Sequence, residues 1–189
     1  MRNLILKGII LKKPTEEELK KGSDYLEFHI RMYVETYNEL ISEDEVKGWN
    51  TKHNCFLESH LLHARVLIEF FTTAPDSKKY QTDLLASDYI ENWSVNYLEY
   101  LKIDLEFLKS FKKSIGGIQL HLTSTDSSFL ISQREWPILE IFNNLYPLIV
   151  EFMNLVPKEK VDLTSQKETI RILDNIIFFD DKYKENFST

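Results

Sequence analysis

The sequence predicts an all-α protein, a helical bundle of about five helices that forms a single domain over residues 1–189. Apolar residues recur every three or four positions through several long stretches, as the buried face of a helix requires. Only five glycines and five prolines occur in 189 residues, so turn signals are few. No stretch shows the sustained alternation of a half-buried strand, and the chain is long enough to bury a sizeable core.

The N-terminal residues 1–13 are rich in leucine and isoleucine and predict a strand or a short extended arm. Thr15 and Glu18 form a capping-box pattern, which predicts the start of the first helix. Because glycine is unfavourable in helices, we expect Gly22–Asp24 to break this helix before a second helical run continues to about residue 42.

Residues 51–73 form the strongest helical pattern. This segment is apolar around most of its circumference, which is typical of the central helix of a bundle. A loop and one short helical turn, within 83–90, should follow. The next long pattern, over 98–122, contains Gly116-Gly117, so the helix either stops at this pair or is adapted there to contact a partner.

The apolar phase of the following helix begins after Pro137, which suits a helix start, and Pro147 should kink it midway. Ser165 and Glu168 form a second capping-box pattern. The predicted organisation is an extended arm over 1–13, a core bundle over 15–157 and a C-terminal helix over 165–187.

Composition limits the possible functions. The net charge of −7 argues against a general electrostatic grip on nucleic acid. The single cysteine, Cys55, cannot form an internal disulfide, and no signal-peptide pattern is evident, so we expect a cytoplasmic protein without a membrane span. Phosphate-binding glycine loops, dinucleotide fingerprints and nucleophile elbows are missing from the sequence, and no cofactor is expected.

The central helical pattern carries two lines of polar residues. Arg65 and Glu69 are one helical turn apart, so they form an ion pair on this helix or, if buried, pair with charges across the bundle. His60 and His63 form the second line. They could supply two ligands of a metal site, with a third from His29, His53 or His121, but two half-buried hydrogen-bonding histidines are the favoured interpretation.

A second set of polar residues lies on the later helix. Ser114 and His121 share one edge of it, and three lysines precede the histidine, namely Lys109, Lys112 and Lys113. Such a group could serve a phosphodiester, since cations hold phosphate while imidazole moves protons. The simpler alternative is a solvated lysine face with a boundary histidine.

Three segments together resemble uncharacterised bacterial helical proteins of the HEPN-like class: Leu62–Phe71, Gln119–Thr123 and Trp136-Pro137. The resemblance covers roughly residues 50 to 150. It implies a bundle of four to five helices that is frequently dimeric. Many members of the class are metal-independent ribonucleases marked by an arginine, four to six intervening residues and a histidine on one helix.

On this resemblance, His121 matches the histidine of the motif, while Ser114 stands where the motif has arginine. Lys113 is one place too early and lacks the bidentate fork of arginine. Arg65 could supply a guanidinium from the neighbouring helix.

The expected function is therefore a binding or regulatory module with degenerate or no nuclease activity. Its candidate binding residues are Lys109, Lys112, Lys113, His63 and Glu69. We expect a homodimer, with a protein partner possible and RNA possible but unsupported by the net charge. One alternative is a metal-independent ribonuclease of a toxin or defence system that uses His121. The other is a metal-binding bundle centred on His60 and His63.

Overall fold

In the residues that it describes, the structure, a computed structural model, has six α-helices and one minimal pair of strands, which confirms the all-α bundle. It describes residues 5–6, 9–10, 13–42, 50–80, 82–93, 100–120, 136–174 and 176, with the backbone alone at 5–6, 9–10 and 116–120. The helices are α1 (Glu16–Ser42), α2 (Thr51–Thr72), α3 (Ala86–Tyr89), α4 (Leu105–Leu120), α5 (Ile138–Leu155) and α6 (Leu163–Asp174). The strands are β1 (Ile5–Leu6) and β2 (Ile9–Ile10), and they pair antiparallel within the segment predicted as an arm.

α1 begins with the predicted capping box. The Thr15 N–H donates to Glu18 Oε2 at 2.7 Å, and the Glu18 N–H donates to Thr15 Oγ1 at 3.2 Å. Each residue thus satisfies a backbone donor that the helix itself cannot pair.

The predicted break at Gly22–Asp24 is wrong, because α1 runs through these residues without interruption. A Cβ atom at Gly22 would lie 2.3 Å from Leu84 Cδ1 and 2.6 Å from the Tyr89 hydroxyl oxygen. Ser23 stays helical and its hydroxyl donates to the Lys20 carbonyl at 2.6 Å. Gly22 therefore permits close packing against α1, and this tertiary contact outweighs the poor helix propensity of glycine.

α2 is the central helix, as predicted, since it packs against α1, α3, α4 and α5. The core between these helices is largely aromatic. Tyr37 of α1 stacks on Phe142 of α5 with ring centroids 3.9 Å apart, while Phe71 of α2 meets Phe152 of α5 edge-on at 5.6 Å. No helix in the described part of the chain has the length and hydropathy that crossing a bilayer requires.

α4 starts at Leu105, later than the predicted residue 98, because Asp104 caps it. Asp104 Oδ1 accepts the Phe107 N–H at 2.8 Å, and the Asp104 N–H donates to Asn144 Oδ1 of α5 at 2.6 Å. The backbone of α4 remains helical through Gly116-Gly117 to Leu120, so the glycine pair does not end the helix.

α5 continues through Pro147, which is buried. The second predicted capping box is wrong, because Asp162 caps α6 instead. Its Oδ1 accepts the N–H groups of Thr164 at 2.8 Å and Ser165 at 3.1 Å. These two backbone donors also hold the pKa of Asp162 below its usual value.

α6 ends at Asp174, earlier than the predicted residue 187, and the chain then buries the non-helical Ile176. This C-terminal part of the bundle is tied to α1. The Asp162 N–H donates to Ser23 Oγ at 2.9 Å, and Ser165 Oγ donates to Asp24 Oδ1 at 2.6 Å.

Candidate functional site in a cleft beside the first two helices

A cleft of about 330 Å³ lies between α1, α2 and the segment that connects α2 to α3. Its apolar lining comes mainly from Leu26, Val66, Leu67, Phe70, Leu84 and Leu85. The polar and aromatic groups at its walls include Tyr25, His29, Glu69, Lys78, Lys79 and Asp83. Both ends of the connecting segment therefore contribute to one concave surface with α1 and α2.

Three contacts fix the connecting segment against the helices. Gly22 admits Leu84 and Tyr89 to the surface of α1, and the Tyr89 hydroxyl donates to the Leu19 carbonyl at 2.9 Å. Lys160 Nζ donates to the Tyr89 carbonyl at 2.5 Å from the far side. The wall of the cleft is thus held by buried hydrogen bonds rather than by apolar contact alone.

Most charges around the cleft have partners. Lys78 Nζ bonds Asp88 Oδ2 at 2.7 Å, and both side chains are largely buried. Asp83 Oδ2 accepts the Tyr80 N–H at 2.9 Å. Lys79 is exposed, with its Nζ 5.1 Å from the ring centroid of Tyr80.

Glu69 differs from these groups. It is half-buried at the cleft wall, and its carboxylate makes no hydrogen bond or ion pair within the described part of the chain. The pair predicted with Arg65 is not formed, because no contact within 4.0 Å joins the two described side chains. Arg65 is half-buried and lies outside the lining of the cleft.

His63 pairs with His29 rather than with His60. The two Nδ1 atoms are 2.8 Å apart, so one ring must donate and the other accept. Burial and the neighbouring His29 lower the pKa of His63 to about 4, and burial lowers the pKa of His29. Phe28 packs edge-on against both rings, with centroid distances of 5.6 and 5.5 Å. The pair is therefore neutral at pH 7, and its His29 member forms part of the cleft wall.

His60 has a different environment in the core. It is fully buried, and its Nδ1 donates to the Tyr33 carbonyl at 3.1 Å. Its ring stacks on Tyr33 at 4.5 Å, and burial lowers its pKa to about 3. His60 and His63 thus serve separate contacts, and among the described residues no three potential ligands come together as a metal site.

The described residues among those predicted on α4 do not line the cleft. Ser114 Oγ donates to the Ser110 carbonyl of its own helix at 3.1 Å, and Lys109 Nζ pairs with Glu106 at 2.8 Å. Lys113 is exposed and Lys112 half-buried. His121, the remaining catalytic candidate, lies outside the described residues.

The structure therefore brings together His63 and Glu69 of the predicted site residues, at or beside one cleft. It adds Tyr25 and Asp83, which sequence reasoning did not assign to a site, and His29, which the sequence offered only as a possible third metal ligand. One signal was available: Gly22 and His29 are seven residues apart and share a face of α1 with Tyr25.

Comparisons with protein-family models, with curated proteins and with solved structures find no match to this chain. The chemistry of the cleft is consequently the main guide to its function.

Proposed function

We propose that this protein is a binding module whose cleft between α1, α2 and the α2–α3 segment takes a small organic ligand. The cleft itself carries the proposal. Its volume of about 330 Å³ lies within the range of small-molecule sites, which are mostly apolar with a few polar groups.

The histidines beside the cleft favour binding over proton-transfer catalysis. A general base works best with a pKa near the operating pH. His63 has a pKa of about 4, and its Nδ1 is engaged with His29. These features support a structural role for the pair at the cleft wall.

We also propose that this binding module is a HEPN-like bundle without an efficient nuclease centre. The all-α fold supports the HEPN-like assignment, since that class is built from four to five helices. Ser114 supports a degenerate nuclease centre, because its hydroxyl donates to its own helix and has no guanidinium fork with which to hold phosphate.

A fragment screen followed by amide chemical shifts tests the binding function. We expect hits to shift the amides of cleft residues. Val66→Phe places a larger side chain in the cleft and should abolish these shifts. Leu62→Phe is the matched control, because Leu62 is 45% exposed one turn earlier on α2 and does not line the cleft. Fragments that bind Val66→Phe as well as the wild type, or a screen without cleft shifts, would contradict the proposal.

We also propose that the module is a homodimer in the cytoplasm. α6 leaves Leu163 and Ile170 exposed, at 55% and 46%, and their spacing of seven places them on one helix face. Sedimentation at tens of micromolar should show a dimer that Ile170→Glu dissociates, and a monomeric wild type would refute the proposed homodimer.

The lone, exposed Cys55 is consistent with a reducing compartment such as the cytoplasm.

A further inference from the structure

We propose that the cleft selects an organic cation, a protonated amine attached to an aromatic or aliphatic body, with the Glu69 carboxylate as its counter-ion. This inference rests on the proposed binding function and adds the class of ligand to it.

The charges around the cleft leave Glu69 as the group that lacks compensation. Lys78 is neutralised by Asp88 at 2.7 Å and is almost fully buried, so it offers little charge to a ligand. Lys79 and Asp83 carry opposite charges and both belong to the connecting segment. The carboxylate of Glu69, which is half-buried on α2, has no hydrogen-bonding or ionic partner in the described part of the chain.

A half-buried carboxylate without a partner loses part of its hydration and gains no hydrogen bond in return. The ammonium group of a ligand compensates for the lost hydration and supplies the missing hydrogen bond, because it donates up to three hydrogen bonds and carries the opposite charge. An anionic ligand would add a second negative charge beside the first. The cleft should therefore discriminate by charge as well as by shape.

The rest of the lining suits the apolar body of such a ligand. Val66 and Phe70 lie within one turn of Glu69 on α2, and Leu84 faces them from the connecting segment. Tyr25 of α1 also lines the cleft and is 70% exposed, so its ring is accessible to a ligand. Tyrosine rings attract organic cations through their faces.

His29 does not oppose a cation in the cleft. Its Nδ1 is hydrogen-bonded to that of His63, and burial lowers the pKa of both rings. At neutral pH the imidazole wall is therefore uncharged and can accept or donate a hydrogen bond without repelling an ammonium group.

Three probes that share a phenyl group and differ in charge test this inference: 2-phenylethylamine, 2-phenylethanol and 3-phenylpropanoate. Binding is followed by amide shifts of cleft residues at pH 7. We expect the wild type to bind the ammonium at least about tenfold more tightly than the alcohol, as a charge-assisted hydrogen bond provides, and to bind the carboxylate most weakly. Raising the salt concentration should reduce the preference.

Glu69→Gln keeps the shape of the side chain and removes its charge, so it should bind the ammonium and the alcohol about equally. Glu140→Gln is the matched control, since Glu140 is exposed on α5 and does not line the cleft. Its selectivity should equal that of the wild type. Thermal melts of both variants establish that they are folded. Glu69→Asp, which keeps the charge, should retain part of the preference.

Equal binding of the ammonium and the alcohol by the wild type would overturn the cation inference while leaving a ligand-binding cleft intact. Tightest binding of the carboxylate, or unchanged selectivity in Glu69→Gln, would also overturn it. If none of the three probes shifts a cleft amide at millimolar concentration, the inference fails, and the broader fragment screen decides separately whether the cleft binds ligands at all.

Discussion

His29 and His63 meet across the α1–α2 interface with their Nδ1 atoms 2.8 Å apart. Only one of the two rings can carry an extra proton without breaking this contact, because each nitrogen must either donate or accept. The contact joins a wall of the cleft to the central helix. It also makes the packing of α1 on α2 sensitive to acid.

We expect the protein to lose stability as the pH falls from 6.5 towards 4. The pKa of His63 is about 4 in the folded protein, against 6.5 for an unperturbed histidine. In this range the unfolded chain binds more protons than the folded one, so acid favours unfolding. The loss from His63 alone should be about 3 kcal/mol across the range. Urea titrations of wild type and His63→Gln at several pH values measure it, and equal pH slopes would contradict the assignment.

His60→Phe should also reduce the loss of stability at low pH, because it removes a buried histidine from the core. The buried His60 has a pKa of about 3 and therefore resists protonation down to lower pH than His63. Phenylalanine can keep the stacking on Tyr33 and carries no proton, at a packing cost of about 1 kcal/mol at pH 7. The free energy of unfolding of the variant should therefore rise relative to that of the wild type as the pH falls from 6.5. A constant difference between pH 7 and pH 4 would show that His60 does not contribute.

Gly22→Ala should destabilise the protein by about 1–3 kcal/mol, even though alanine is the better helix former. The added Cβ would lie 2.3 Å from Leu84 Cδ1 and 2.6 Å from the Tyr89 hydroxyl, so α3 and its approach must move. Lys21→Ala, at an exposed neighbouring position, is the control and should be close to neutral. Chemical denaturation of both variants provides the measurement. A Gly22→Ala protein more stable than the wild type would show that the close contact is not required.

Asp162→Ala should lower the Tm by about 3 °C, because α6 loses the side chain that accepts the N–H groups of Thr164 and Ser165 in its first turn. Ser165→Ala should have a smaller effect, since the Ser165 hydroxyl bonds the exposed Asp24 and no backbone donor of α6. Thermal melts followed by circular dichroism compare the two. A larger loss of Tm in Ser165→Ala than in Asp162→Ala would show that Ser165 caps α6.

RNA cleavage in the presence of EDTA tests the ribonuclease alternative. We expect the wild type and His121→Ala to show the same background, because, on the proposed HEPN-like resemblance, Ser114 stands where the motif has arginine, and its hydroxyl donates to its own helix. Ser114→Arg restores the missing residue type and provides the sensitised comparison. Metal-independent cleavage that disappears in His121→Ala would contradict the binding-module proposal.

The sequence predicts the helices well where the signals are local. The Thr15–Glu18 capping box forms as expected, and the apolar circumference of residues 51–73 identifies the central helix. Both depend on residues within a turn or two of each other, so they can be recognised without knowledge of the tertiary structure. Gly22 is the counterexample, because its conformation depends on Leu84 and Tyr89, more than sixty residues away.

The cleft is less accessible to sequence reasoning for the same reason. His63 and Glu69 stand out on one helix, but the partner of His63 is on another helix. The Glu69 carboxylate is notable because no described residue pairs with it. At the start of α6, Asp162 and Ser165 are both residue types that cap helices. Tertiary hydrogen bonds distinguish the two residues: the Asp162 N–H donates to Ser23, whereas the Ser165 hydroxyl donates to Asp24.

Those bonds between α6 and α1 also bear on synthesis of the chain. Ser23 accepts the backbone N–H of Asp162, 139 residues later, and Lys160 donates to the carbonyl of Tyr89. α1 leaves the ribosome before these partners, so its surroundings are complete only after Asp162 has been translated. Apolar surface on the nascent α1–α2 hairpin should therefore remain uncovered in that interval, when holding chaperones have access to it.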